Sequence, residues 1–333
     1  MRRLIGWLGV LALLWSGWWA LASWGVSHGL TIAVEELRAQ GWQADVGETQ
    51  QAGFPLTLRA DLSAVRLRAP LSGIALSLPS LGISAPAYWP GDVTLRLPQE
   101  RLHLDLTQQK VSGRFERGRA QINLNPGIDL QLQRLGFDSG SWQIEAPGGT
   151  IASASDLSLK MVQSAGDPLV YDLALVSTAF APGNLLRRAL SLPPDWPVVF
   201  STLAADLSVG FDRPLDRAAL TGPRPHPRAV LVRQADAEWG ALQITATADL
   251  SISARGVPEG VATLRIREWE LLMDLAQKAA GSEDQPGQMN FMLRALANMD
   301  GDPTTMVVDV AFRDGAMFLG PIALGPAPRL VLR

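Results

Sequence analysis

The sequence predicts a mostly β fold: a large antiparallel β-meander, as a curled sheet, sandwich or groove, behind one N-terminal transmembrane and amphipathic helix, with a few short helices. Three observations carry this. Residues 4–26 are apolar and uncharged, residues 27–41 keep helical spacing, and from Trp42 onward apolar and polar residues alternate in short runs broken by Gly, Pro, Asp and Ser. Side chains recur every 3.6 residues on a helix and every second residue on a strand, so the change of period marks a change of structure.

The first element follows from length and charge. Leu4 to Val26 spans about 23 residues, and about 20 apolar residues cross a bilayer as a helix. Arg2 and Arg3 precede the run and Glu35 is the first charge after it. The positive-inside rule then keeps the N-terminus in the cytoplasm and sends the rest outward. Residues 1–26 therefore read as an anchor. A cleaved signal peptide is the alternative, since Ala20-Leu21-Ala22 has the small-x-small pattern, although the run is longer than a usual h-region. Both readings export the chain.

Residues 27–41 continue as an amphipathic helix. Val26, Leu30, Ala33, Val34 and Leu37 form one stripe, and Gly41 is a C-terminal stop. Residues 42–333 form the exported β-rich region. Leu56, Leu58, Ala60 and Leu62 alternate with polar residues, and Val65 and Leu67 then take the opposite parity, which predicts a β-bulge near Ala64. Similar runs follow, among them Ile74/Leu76/Leu78, Val93/Leu95/Leu97, Leu102/Leu104/Leu106, Ile128/Leu130/Leu132, Leu242/Ile244, Leu250/Ile252 and Met306/Val308/Val310/Phe312. Helices interrupt at Leu185–Leu190, capped by Asn184 with Arg187 and Arg188 outward, and as a pair over Glu268–Ala280 and Met289–Met299. The proline-rich stretch at 213–228 is where two lobes would divide.

Roughly fifteen strands exceed the roughly ten that an open twisted sheet tolerates before curling or splitting. Their apolar faces need a cover. Leu58, Leu76, Leu95, Leu104, Leu124 and Leu130 each belong to an alternating run and are the candidate apolar groove, unless a second sheet closes over them. Gly53-Phe54-Pro55 reads as a structural turn, with Phe54 packing on the amphipathic helix and Pro55 opening a strand.

Composition and motifs exclude several function classes. With no cysteine there is no disulfide, thiolate metal site or cysteine nucleophile. His28, His103 and His226 are far apart and none has a partner at metal-ligand spacing. No nucleophile elbow, P-loop or dinucleotide fingerprint occurs. The acidic residues are scattered over alternating runs, where a solvated face explains them. A net charge of −3 gives no pull toward nucleic acid. No enzyme activity and no cofactor are expected.

Two passages carry a resemblance. One is the opening: a basic start, a tryptophan-rich apolar run, Arg38-Ala39-Gln40-Gly41-Trp42, then Gly53-Phe54-Pro55. The other is the end, Asp314-Gly315-Ala316-Met317-Phe318-Leu319-Gly320-Pro321 to Pro328. With the intervening strands, the chain resembles the bacterial domain-of-unknown-function family numbered 2125. The resemblance implies an anchored envelope protein and transfers no reaction. The architecture is also similar to AsmA-type envelope proteins, whose apolar β-grooves are associated with lipid transport; that is an analogy of form. The expected function is a single-pass protein of the bacterial inner membrane, periplasmic beyond its anchor, that binds or passes a lipid or other amphipathic molecule. A scaffold docking an envelope protein partner is the alternative, and a hydrolase of envelope polymers the third.

Overall fold

The computed structural model describes residues 14–19, 24–25, 28–29, 31–32, 34–39, 41–70, 73–106, 109–189, 192–193, 196–271, 302, 304–320 and 322–330. Most of the predicted span and nearly all of the helical pair expected after Glu268 lie outside them, save residues 14–19, 24–25 and 269–271, which are helical. Among the described residues no helix is long and apolar enough to cross a membrane.

Residues 34–39 are helical, with Val34 and Leu37 half-buried and Glu35, Glu36, Arg38 and Ala39 exposed. The helix stops where the sequence predicts. Gly41 takes a left-handed backbone (φ 87°), its N–H donates to the Arg38 carbonyl, and that of Trp42 donates to the Leu37 carbonyl, both at 2.9 Å. This pair of bonds satisfies two carbonyls that a helix end otherwise leaves open.

Among the described residues there are 21 strands. The chain separates into two compact units, Met1–Pro126 with Phe137–Pro147, and Gly127–Gly136 with Gly148–Arg333. Residues 213–228 lie inside the second unit.

The first unit is built on β3 (Thr57–Arg68). One edge of β3 takes β1 (Gln43–Asp45) and β2 (Thr49–Ala52) end to end, and the other takes β4 (Ala75–Pro86), all antiparallel. Beyond β4 the sheet forks. The half of β4 near Ser84 pairs with β5 (Asp92–Arg96), which pairs with β8 (Arg119–Leu124). The half near Leu76 pairs with β6 (Leu102–Asp105), then β7 (Lys110–Phe115), then β10 (Trp142–Ala146). The remaining strand in this stretch, β9 (Leu132–Ser139), begins in the second unit's part of the chain. Leu62, Val65 and Leu78 form the buried centre, with Leu67, Leu76, Leu81, Ile83 and Leu102 packed around them.

The β-bulge expected near Ala64 is not an inserted residue. The register of β3 against β4 runs unbroken from Thr57↔Pro86 to Arg68↔Ala75. Parity changes because Ala64, opposite Pro79, takes a left-handed backbone (φ 47°). Both strands change face together: Leu62 and Val65 are buried on β3, and Leu78 is buried while Pro79 and Ser80 are exposed on β4.

The second unit is largely a sequential meander. In antiparallel order β12 (Leu157–Gln163), β13 (Val170–Ser177), β15 (Thr202–Phe211), β16 (Pro227–Trp239), β17 (Leu242–Ile252), β18 (Pro258–Arg267), β19 (Thr305–Arg313), β20 (Ala316–Leu319) and β21 (Ile322–Pro326) pair one with the next. β11 (Gly149–Ala154) pairs with the short β14 (Ala181–Pro182). The helices among the described residues here are short: α1 (Asn184–Ala189), α2 (Ala218–Thr221) and the turn that opens at Trp269. One core gathers Leu242, Ile266, Trp269, Met306 and Val308.

Three local expectations are corrected. The Ile128/Leu130/Leu132 run forms no strand before Leu132; Ile128 is 90% exposed and Leu130 has a left-handed backbone (φ 47°). The cap of α1 falls on Gly183 instead of Asn184, since the Gly183 carbonyl accepts the Arg187 N–H at 3.0 Å. Arg187 does not simply point outward, but donates to the Trp196 and Pro197 carbonyls, each at 2.9 Å.

Candidate functional site

Residues directly opposite across a ladder share a face of the sheet. Register therefore decides which candidate groove leucines meet. Leu58 lies opposite Ala85, and Leu76 is flanked by Leu67 and Leu104. Leu104 faces Val111 on β7, and Leu95 lies between Ile83 and Ala120. Leu124 has the parity of Ala120 on β8. Five of the six thus occupy one apolar face of the first unit, with Leu95 and Leu124 on one arm of the fork and Leu104 on the other. Leu58 is fully buried, whereas Leu76, Leu95, Leu104 and Leu124 are half-buried. The sixth, Leu130, lies in the second unit and outside any strand.

A cleft of about 290 Å³ opens beside this face. The helical residues Thr31, Val34, Glu35 and Arg38 form one wall, and Val46, Gly47, Thr49, Gln51 and Leu62 the other. Its apolar lining is Val34, Val46 and Leu62. Arg38 is held at the rim by bonds from Nε (2.9 Å) and Nη2 (2.6 Å) to the Ala44 carbonyl, with the Asp45 carboxylate 3.8 Å away. The lining is amphipathic: aliphatic groups on both walls, with an acid, a guanidinium, two hydroxyls and an amide around them.

The turn Gly53-Phe54-Pro55 sits at the end of β3. Gly53 has φ 107°, and a Cβ there would meet the Thr57 hydroxyl at 2.5 Å and its carbonyl at 2.6 Å, so the position requires glycine. The Thr57 amide and hydroxyl both donate to the Gly53 carbonyl at 2.9 Å, and the Phe54–Pro55 peptide is cis. Among the described residues, the ring contact of Phe54 is with the apolar run. Its ring meets Trp19 edge-on, with centroids 5.3 Å apart. Three indoles from the apolar run clamp this end of the sheet: the Nε1 groups of Trp15, Trp18 and Trp19 donate to the carbonyls of Pro55, Ala87 and Thr57, each at 2.9 Å. A tryptophan-rich run was legible in the sequence; that it grips the turn was not, because nothing local pairs residues so distant in sequence.

In the second unit the polar groups form structural ties. Arg233 is the extra residue where the register between β15 and β16 shifts, Asp206 facing Gln234 and Leu207 facing Val232. A bulge re-aims a side chain, and this one directs the guanidinium onto Asp206, Asp172 and Ser208. The hydrogen bonds from Arg233 hold the Asp206 carboxyl below its usual range. Asp212 is likewise lowered, chiefly by the His226 backbone N–H at 2.8 Å and then by Arg213 and Arg228. Thr304 and Thr305 do the same for Asp302. Each histidine has its own surroundings: His28 stacks on Trp24 at 5.0 Å, His103 lies opposite Ser77 and Ser112, and His226 serves Asp212 through its backbone. Among the described residues no three His, Asp or Glu side chains are placed to hold a metal ion.

Compared with known protein families, residues 19–328 match the family described as "Uncharacterized protein conserved in bacteria (DUF2125)". No curated protein and no solved structure matches the chain significantly.

Proposed function

The chain belongs to this uncharacterised bacterial family, which supplies no activity to transfer, and from the residues themselves we propose that it is an inner-membrane-anchored periplasmic protein binding or passing a lipid or another amphipathic envelope molecule. The observation that carries this reading is the cleft between residues 31–38 and β1–β3, continuous through Leu62 with the apolar face of the first unit. At about 290 Å³ it lies near the low end of the roughly 300–1,000 Å³ usual for ligand sites. That suits an acyl segment or a small amphiphile better than a whole two-chain lipid. Each buried CH₂ contributes about 0.8 kcal/mol, so a modest length of chain against Val34, Val46 and Leu62 binds with useful affinity. The anchor assignment is supported by the uncharged run from Leu4 to Val26 and the arginines before it.

A second reading, a scaffold for an envelope protein partner, is favoured by Leu231 and Val261. Both are exposed and both lie opposite Asp249, so they share one face of the meander. One experiment separates the two. The full chain is purified in mild detergent and its bound amphiphiles are identified by mass spectrometry, beside Thr49→Trp. Thr49 is exposed on the cleft wall, so the indole fills the cleft without disturbing the core. The expected result is a co-purifying amphiphile in the parent and its loss from an equally stable variant. A parent chain that carries none ends the lipid reading and leaves the scaffold.

A further inference from the structure

One end of the first unit combines features that a water-facing surface does not need. Phe54, Leu56 and Tyr88 are 57%, 68% and 71% exposed, and beside them Leu14 and Trp18 are 66% and 47% exposed. The segments that carry these side chains are joined by hydrogen bonds. Trp15 is bonded to Pro55 and Trp18 to Ala87, and the Ala87 N–H donates to the Leu56 carbonyl at 2.9 Å. Charge is absent from each contributing segment: none occurs in residues 4–26, 49–58 or 69–91. Three carbonyls at this end are satisfied from within, those of Pro55, Thr57 and Ala87, each by an indole N–H group. Water would serve an exposed carbonyl at no cost, whereas a carbonyl among lipid groups requires a protein donor. Tryptophan and tyrosine also concentrate where a bilayer meets water.

We propose that the end of the first unit bearing Phe54, Leu56 and Tyr88 inserts into the interface of a lipid bilayer, with Leu14 and Trp18 beside it. This rests on the membrane-anchored part of the function proposed above and is independent of any lipid in the cleft. It makes the β-structure part of the anchor, and brings the first unit's apolar face to the membrane without a tether.

The chain has no cysteine, so single labels need no background removal. Leu56→Cys, Tyr88→Cys, Asp61→Cys and Leu8→Cys are each labelled with an environment-sensitive fluorophore. The full chain is reconstituted into phosphatidylethanolamine–phosphatidylglycerol vesicles containing nitroxide lipid. Labels at 56 and 88 are expected to shift to the blue, to be quenched by the nitroxide and to lose quenching by aqueous iodide. The label at Asp61, exposed midway along β3, should keep its iodide quenching. Positions 56 and 88 quenched by iodide as strongly as 61 overturn the proposal. Lipid quenching at Leu8 in that case leaves the anchor standing, and its absence removes the anchor as well. The lipid content measured by mass spectrometry is unaffected by either result.

Discussion

Tyr171 is fully buried and its hydroxyl donates to the Leu132 carbonyl at 2.8 Å, with the Phe211 ring edge-on at 6.0 Å. Burial pushes its phenol up to about 12, against a lowering hydrogen bond with Gln163 and with the charge of Asp216 adding to the rise. The folded pKa is raised, so its contribution to stability is complete below the ordinary value of about 10 and is lost as pH climbs from there toward about 12. Tyr171→Phe leaves a carbonyl without its donor, and the expected loss is about 1–3 kcal/mol at neutral pH. The same variant should lose less further stability than the parent between pH 10 and 12. Thermal denaturation across that range checks both. Tyr171 and Leu132 are far apart in sequence, and the bond between them was not legible there. Gly41 was, because a helix stop depends on its own backbone and the turn before it.

At the scale of an element, the segment 14–19 is tied to the β-structure by donors whose acceptors differ in surroundings. The carbonyl that Trp18 serves belongs to Ala87, which is fully buried, whereas Pro55, served by Trp15, is exposed. Away from a bilayer, water replaces an indole at the second position and not at the first. Trp18→Phe is therefore expected to cost about 1–3 kcal/mol and Trp15→Phe less than about 0.5 kcal/mol, measured by denaturant unfolding of the two variants side by side. Elements were legible in proportion to their regularity. β19 alternates cleanly and is legible, and β3 is legible as two alternating halves that change parity at Ala64. β16 was missed because the bulge at Arg233 shifts its pattern midway. The runs at Leu242/Ile244 and Leu250/Ile252 read as two strands and are one, β17. Conversely, Ile128/Leu130/Leu132 alternates but turns away from the sheet, since periodicity records which residues suit a strand and not whether a neighbouring edge is available to them.

For the whole molecule, a set of leucines was legible in the sequence, and register puts five of them on one face of the first unit. The fork beyond β4 was not legible, because it depends on two short strands dividing one long edge between them. The fork sets up a direct test of whether the face is accessible. Leu95 and Leu104 are half-buried on different arms. The double change Leu95→Glu and Leu104→Glu is expected to preserve cooperative thermal unfolding while removing co-purifying amphiphile. Loss of the folded state would show instead that the face is closed by packing.

The meander of the second unit also implies an order of assembly. β16 and β17 close on two residues, Gly240 and Ala241. β18 and β19, by contrast, join Arg267 to Thr305 across a much longer connection. Each doubling of a loop adds only about 0.6 kcal/mol of closure entropy, so the finished ladder is little weakened by the length. Kinetically the effect is larger, because distant pairings form late. The hairpins up to Arg267 are therefore expected to form while Thr305–Arg313 is still unpaired, which leaves the outer edge of β18 open in the interval. An open edge templates strands from other chains. Val261 lies on that strand, exposed in the finished fold and more so before β19 docks. The interval between these two events is when the chain is most exposed to self-association, and the docking of β19 ends it.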